Sequence, residues 1–374
     1  MAQAKLLRKF RLPLASIARR TDLSQVAVKL LNPIVRPAGG APSNASDAEK
    51  SEYAAALTKL GANLEAKKLL LSVDSDKTPD ALLFLACTRV ACWEDDKRIP
   101  LLKRYVASPG LADYKRLVGK LNLSAACVHE RQDDEANQLF LELKEELSKL
   151  SLHRLLSNTL SLWSELEIER RNFSVAKNLY TEAEGYIKDP DSMDNFYLRK
   201  RKAMAMFLAN PKDEVAVKAM LDFRSVAQSR KHWESVRDCD LHLAVHQKNE
   251  NLLSFVYFGT PYEHFRERLQ QQWGKKLEMA ETYHWKLGTG KSTPVIDLLG
   301  IEEKGKETLK AGQLLFRMAA TLSSDFYRPF RLAEIHAAIF PNEFYNPSTS
   351  PLRVHQAMFR FRHWLSKQCP SLEI

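Results

Sequence analysis

The sequence predicts a mainly α protein: a helical-repeat body followed by a smaller C-terminal module of mixed α and β structure. Three observations predict it. From about Glu49 to Leu269, apolar residues recur at i, i+3, i+4 and i+7, broken by short polar or Pro/Gly stretches at 74–79, 108–110, 188–191 and 210–213. One packing pattern returns within that span, with Ala136, Phe140 and Leu143 standing 40 residues before Ala176, Tyr180 and Ala183. After Trp273 the texture changes to a β-like run at 294–299 and three helices expected at about 310–323, 332–340 and 350–368. The organisation that follows is a basic N-terminal segment (1–36), a Pro/Gly/Ser linker (37–48), the repeat body (49–284) and the C-terminal module (285–374).

Composition bounds the class. A chain of 374 residues, 45% hydrophobic and 27% charged, has room for two or three globular domains. Its 13 glycines argue against turn-rich barrels and propellers. No apolar run reaches the roughly 18–20 residues that cross a bilayer, so no membrane partner is expected. Cys87, Cys92, Cys127, Cys239 and Cys369 include no CxxC and lie at no zinc-finger spacing from histidine. That pattern fits small buried side chains in a reducing compartment.

The net charge of +10 is concentrated at the ends. Residues 1–46 hold eight Lys or Arg (Lys5, Arg8, Lys9, Arg11, Arg19, Arg20, Lys29 and Arg36) against Asp22 alone. Residues 310–374 hold eight against Asp325, Glu334, Glu343 and Glu373, which leaves the middle of the chain close to neutral. Two basic ends on a neutral body suit polyanion-facing surfaces. The acid-free first 21 residues also read as an organellar transit peptide or as a basic amphipathic leader helix.

In the body, the clearest unit is 160–190. Ala176, Tyr180 and Ala183 lie at i, i+4 and i+7 of its second helix, and Pro190 follows. Small residues at such places let a paired helix approach closely, while the aromatic fills the groove between units. Ala66 with Leu70, and Ala216 with Met220 and Phe223, echo the spacing. This resembles the second half of a tetratricopeptide repeat, stretched from its 34-residue period and without its first-helix Trp-Leu-Gly signature, and it implies a degenerate solenoid.

The last helix carries most of the functional argument. Ser350 and Pro351 supply an N-cap and an N1 proline. Val354, Ala357, Met358, Phe361, Trp364 and Leu365 mark one apolar face, and Arg353, Gln356, Arg360, His363 and Lys367 form a polar stripe with no acid on the helix. A face without carboxylates suits phosphate, and Arg and Gln reach base edges. The segment from Pro294 onward is similar to the OmpR/PhoB-type winged-helix family, whose recognition-helix pattern is matched by Val354, Met358, Phe361, Arg362 and Leu365. The turn at 325–329 stands where that family breaks before its second helix. The resemblance implies base reading by Arg353, Gln356 and Arg360, and phosphate contacts from Arg328, Arg331 and Lys367. Only one strand of the family's opening sheet is visible, and the residues after the helix allow one wing strand at most.

Residues 14–32 look like a helix-turn-helix of the Cro/repressor type. Ile17 and Ala18 would pack its first helix, Asp22 would take the left-handed turn position, and Leu23, Val26 or Ala27, and Val28 would seat the second. Ser24 would cap that helix and Pro33 would end it. Ser24, Gln25, Ala27 and Lys29, with Arg19 and Arg20 beside them, would face DNA.

Two motifs fall away. The stretch 288–293 ends like a phosphate-binding loop, but Trp285 occupies the position of its first glycine and Pro294 interrupts the helix that should follow. The ten histidines show no HExxH or other ligand spacing, so neither metal nor cofactor nor enzymatic activity is expected. The expectation is a DNA-binding transcriptional regulator in a bacterial-type cytoplasm, associated with the nucleoid. Its final helix would lie in the major groove of double-stranded DNA, and its repeats would bind polymerase, another regulator or a second copy in a homodimer. The alternative is an interaction scaffold whose C-terminal helices contact protein.

Overall fold

The structure is a computed structural model that describes residues 7–37, 42–92, 94, 97–277, 309 and 312–368. Every regular element among them is a helix: α1 (Arg8–Arg20), α2 (Ser24–Val35), α3 (Asp47–Leu60), α4 (Asn63–Leu71), α5 (Asp80–Ala91), α6 (Arg98–Ala107), α7 (Asp113–His129), α8 (Asp133–Lys149), α9 (His153–Glu169), α10 (Phe173–Glu184), α11 (Met193–Ala209), α12 (Glu214–Ser229), α13 (Trp233–Gln247), α14 (Glu250–Phe258), α15 (Glu263–Trp273), α16 (Leu314–Leu322), α17 (Leu332–Ile339) and α18 (Ser350–Gln368). The chain divides into two compact units, one of Met1–Val73 with Tyr257–Ile374 and one of Asp74–Val256. The body expected over 49–284 is therefore shared between them.

One turn builds both units. Asp22, Gly61, Arg131, Ser151, Arg171, Lys231 and Lys248 all have positive φ, between 53° and 91°. After each, the next amide donates to the carbonyl five residues back: Leu23 to Ala18, Ala62 to Leu57, Gln132 to Cys127, Leu152 to Leu147, Asn172 to Glu167, His232 to Ala227 and Asn249 to Ala244. That bond satisfies a carbonyl orphaned at the helix end and folds the chain back on itself. Five residues beyond each positive φ, an apolar side chain is buried: Ala27, Ala66, Ala136, Leu156, Ala176, Val236 and Leu253. The turn thus fixes which face of the next helix enters the core.

In the second unit this turn joins α7 to α8, α8 to α9, α9 to α10, α12 to α13 and α13 to α14. Phe140 and Leu143 on α8, and Met220 and Phe223 on α12, are buried at the spacing read from the sequence. Phe140 stacks on Trp163 with centroids 5.9 Å apart, and Ala86, Ile99, Leu123, Ala126 and Leu166 close around that pair. In the first unit, α1 to α4 make two hairpins. Glu49 closes a capping box with Ser46 at the start of α3, where it also meets Arg8 at 2.8 Å. Helices α16, α17 and α18 enclose a separate core of Met318, Ile335, Ile339, Val354, Phe361 and Leu365.

This architecture corrects the family resemblances. The C-terminal helices are those expected, but no strand or wing accompanies them among the described residues, and the winged-helix reading falls. The expected runs at 294–299 and 372–374, the glycine-rich stretch at 288–293 and Cys369 lie outside the described residues. The match at Val354, Met358, Phe361 and Leu365 reflects the buried face any amphipathic helix needs to join a three-helix core. The helix-turn-helix reading falls as well. Asp22 is left-handed as expected, yet its turn is the hairpin turn used throughout the chain. Ile17, Leu23 and Val26 are exposed, whereas Ala18, Val28 and Ala27, the alternative to Val26 that would also face DNA, are buried. Ser24 gives no side-chain cap, and α2 continues through Pro33 to Val35. Burial of Leu31, Ile34 and Val35 around that proline offsets the lost backbone bond. Among the cysteines, Cys127 and Cys239 are buried but Cys87 is exposed.

Candidate interaction surfaces

The body is charged, and several of its charges are paired between helices. Lys144 meets Glu182 at 2.8 Å, Arg154 meets Asp194 at 3.0 Å, Arg170 meets Asp133 at 3.3 Å and Arg201 meets Glu165 at 2.7 Å. These partners are 36–40 residues apart, one hairpin repeat, so three of the bridges fasten a helix to its counterpart in the next repeat, and Arg170, just past α9, reaches back to the start of α8. Lys200 and Asp238, at 2.8 Å, add another. Burial works to raise the Glu165 carboxyl, but Arg201 and Lys200 outweigh it and hold that group below the usual carboxylate range. Burial likewise opposes the Lys200 ammonium, and Asp238 and Glu165 override it. The thiol of Cys239 is pushed up to about 12, chiefly by burial, which leaves it a poor nucleophile.

A second network joins sequence-distant parts of the first unit. Arg36 meets Glu65 at 3.1 Å, and the same carboxylate accepts the Tyr345 amide at 2.8 Å. The Arg36 guanidinium lies 3.6 Å from the centroid of the Phe344 ring. Burial raises the Glu65 carboxyl, opposed by the Tyr345 amide and by Arg36. Nearby, Arg331 donates to the Lys59 carbonyl. Gly61 takes φ +91° where an added Cβ would stand 2.6 Å from Glu334 Cγ. Arg328 binds Glu334 at 2.9 Å and Asp325 at 3.2 Å and donates to the Tyr262 hydroxyl at 3.3 Å. Of the two residues given as phosphate contacts by resemblance, Arg328 is held by internal carboxylates, and Arg331 is exposed and donates to the Lys59 carbonyl. Sequence reasoning missed Arg36, Glu65 and Tyr345, whose only shared signal is the apolar aromatic pair at Phe344 and Tyr345.

Helix α18 buries the face expected of it: Val354, Ala357, Phe361 and Leu365 point inward. Of the polar stripe, Gln356, Arg360, His363 and Lys367 are exposed, with His355 and Arg362 beside them. Arg353 instead pairs with Glu343, at 2.9 Å through one nitrogen, and lies 4.2 Å from the Phe340 centroid. The exposed face also carries Phe359, 73% accessible, and Leu352. At the start of α18, Ser350 is buried and lies 3.1 Å from His336 Nε2. Burial, then the Arg353 charge, lowers the His336 pKa.

At the other end of the chain, Arg19 binds Glu52 at 2.5 Å and Ser24 is buried. Gln25, Arg20 and Lys29 are exposed. The five residues named for a helix-turn-helix thus divide into two built into the hairpin and three facing outward. Around them, Leu7, Phe10, Leu14 and Ile17 are 61%, 48%, 41% and 60% accessible, and Leu23 and Val26 are exposed just past the turn.

No family model, curated protein or solved structure matches the chain. Among the described residues no helix is long and apolar enough to cross a membrane, and no group of three His, Cys, Asp or Glu is placed to hold a metal ion.

Proposed function

We propose that the protein is a non-catalytic scaffold built of helical hairpins that binds other proteins through side chains left exposed on its terminal helices. One observation carries the reading. Ion pairs one repeat apart tie the body's helices to one another, and large apolar side chains stay exposed both along the repeats, as at Tyr114, Leu141, Leu150 and Val215, and on α1, α2 and α18, where Leu7, Phe10, Leu14 and Ile17 form a row. Hairpin arrays touch mainly their nearest neighbours in sequence, so their function is to hold extended surfaces. Exposed apolar groups rimmed by polar ones are characteristic of protein contacts. The test is purification of the full chain from its source cells, followed by reconstitution with whatever protein accompanies it. A stoichiometric complex that re-forms from purified parts supports the scaffold. A chain that is always monomeric, or that retains only nucleic acid, contradicts it.

A second reading keeps the polyanion. The exposed face of α18 has Gln356, Arg360, Arg362, His363 and Lys367 with no acid among them, and none makes an ion pair among the described residues. Such a face suits the phosphates of double-stranded DNA. A gel shift with random duplex at two salt concentrations decides it: replacing Arg360 and Lys367 with Ala should weaken binding and flatten the salt dependence by about two counterions. Binding indifferent to salt, or none at low salt, contradicts this reading.

A further inference from the structure

We infer that α1 is a docking seam for a single amphipathic helix of a partner protein, one that carries acidic residues along both flanks of its apolar stripe. The inference rests on the scaffold reading and adds the chemistry of the partner. Leu7, at the cap of α1, then Phe10, Leu14 and Ile17 follow one another at spacings of three, four and three. That is the two-in-seven pattern of a helix–helix seam rather than the wide stripe of a helix facing its own core. The core-facing side of α1 adjoins the seam along its e positions, marked by buried Ala18 with Ala15 beside it, and is tied to α3 by Arg8–Glu49 and Arg19–Glu52. The seam is therefore left over once the hairpin has folded.

The flanks specify the partner. With Leu7 and Leu14 at a positions and Phe10 and Ile17 at d, Arg11 falls at e and Arg20 at g, the places where interhelical charges select a partner. Arg11 reaches only a backbone carbonyl, that of Leu30 at 3.4 Å, and Arg20 makes no ion pair among the described residues. No acid lies on α1. A second copy of the same seam would set base against base, so self-association through it is disfavoured. An anionic bilayer would suit the charge but calls for a broad apolar face, and this one is narrow. An α-helix with carboxylates opposite Arg11 and Arg20 satisfies both features. Helix α1 is about 20 Å long, so the contact alone is weak, on the order of micromolar or poorer.

The test uses the full chain and two synthetic heptad peptides, both with Leu at a and d, one with Glu and the other with Lys at e and g. The account predicts that the Glu peptide binds about tenfold or more tighter than the Lys peptide. Changing Leu14→Glu with Ile17→Glu should abolish binding while the circular dichroism and melting of the chain stay as before, since both positions are exposed. Arg20→Glu should weaken the Glu peptide and strengthen the Lys peptide. Equal binding of the two peptides, or of neither, overturns the inference. So does capture by phosphatidylserine vesicles without peptide binding, or self-association lost on changing Leu14 and Ile17. If a native complex forms and survives the Leu14 and Ile17 changes, the seam is not the dock, while the scaffold reading stands.

Discussion

Helices α7 to α13 and the terminal helices α1 and α18 use similar amino acids for opposite ends. In the body, Lys144, Arg154, Arg170, Lys200 and Arg201 each meet a carboxylate, most of them one repeat away, so charge is spent on register between hairpins. On α1 and α18, Arg20, Arg360, Arg362 and Lys367 meet no carboxylate among the described residues, and Phe10 and Phe359 on the same helices are 48% and 73% accessible. Surface ion pairs stabilise little on their own, and their repeated placement here matters more for alignment than for energy. On α1 and α18 the paired residues, Arg8, Arg19 and Arg353, stand beside unpaired ones, and the unpaired ones are what the proposed contacts would use. Net charge alone would not have separated the two.

The comparison can be broken most forcefully in the body's core. Phe140→Ala removes the ring stacked on Trp163 and should cost about 3–5 kcal/mol, read as a lower denaturation midpoint. A cost below about 1 kcal/mol would mean that the hairpins do not pack as described. The pairing itself comes next. Arg201→Met leaves the Glu165 carboxylate without its bridge and should cost about 2–3 kcal/mol, and adding Glu165→Leu should restore most of the loss. If the double change is no better than the single one, the bridge is not a coupled pair.

Gly61 offers a smaller break in the other unit. A β-carbon there meets Glu334 at 2.6 Å in a left-handed backbone, so Gly61→Ala should cost about 1–3 kcal/mol. Unchanged melting would separate the α3–α4 turn from Glu334. The smallest effect is that of pH. Burial lowers the pKa of His232, His246 and His336 below the value of about 6.5 expected in the unfolded chain. As pH falls through 6.5, about the unfolded value, the unfolded chain takes up protons first and stability drops; above about pH 7.5 this contribution is constant. Glu65, raised by burial, acts with opposite sign at lower pH, where the folded chain takes up the proton first. Denaturant titrations at neutral and mildly acid pH, with His336→Gln for comparison, measure the balance.

Much of the fold was legible because helices announce themselves locally. The period of Ala136, Phe140 and Leu143, the breakers between elements, the left-handed Asp22 and the apolar face of α18 are all signals within a few turns of chain. The contacts that escaped are non-local. Arg331 reaches Lys59 across 272 residues and Tyr345 reaches Glu65 across 280, and no periodicity records such a meeting. Template matching went furthest astray where it named families from helical spacing, since Val354, Met358 and Phe361 are demanded by any three-helix core. The same habit placed Ile17 and Leu23 inside, where they would complete a DNA-binding motif, although both are exposed.

Hydrogen exchange of the full chain, alone and in a complex reconstituted with a protein that co-purifies with it, is the measurement on which the scaffold reading stands or falls. The account predicts new protection on α1, α2 or α18, with the amides of α9, α11 and α13 unchanged. Protection confined to those interior helices, or none anywhere in a complex shown to form, would contradict it.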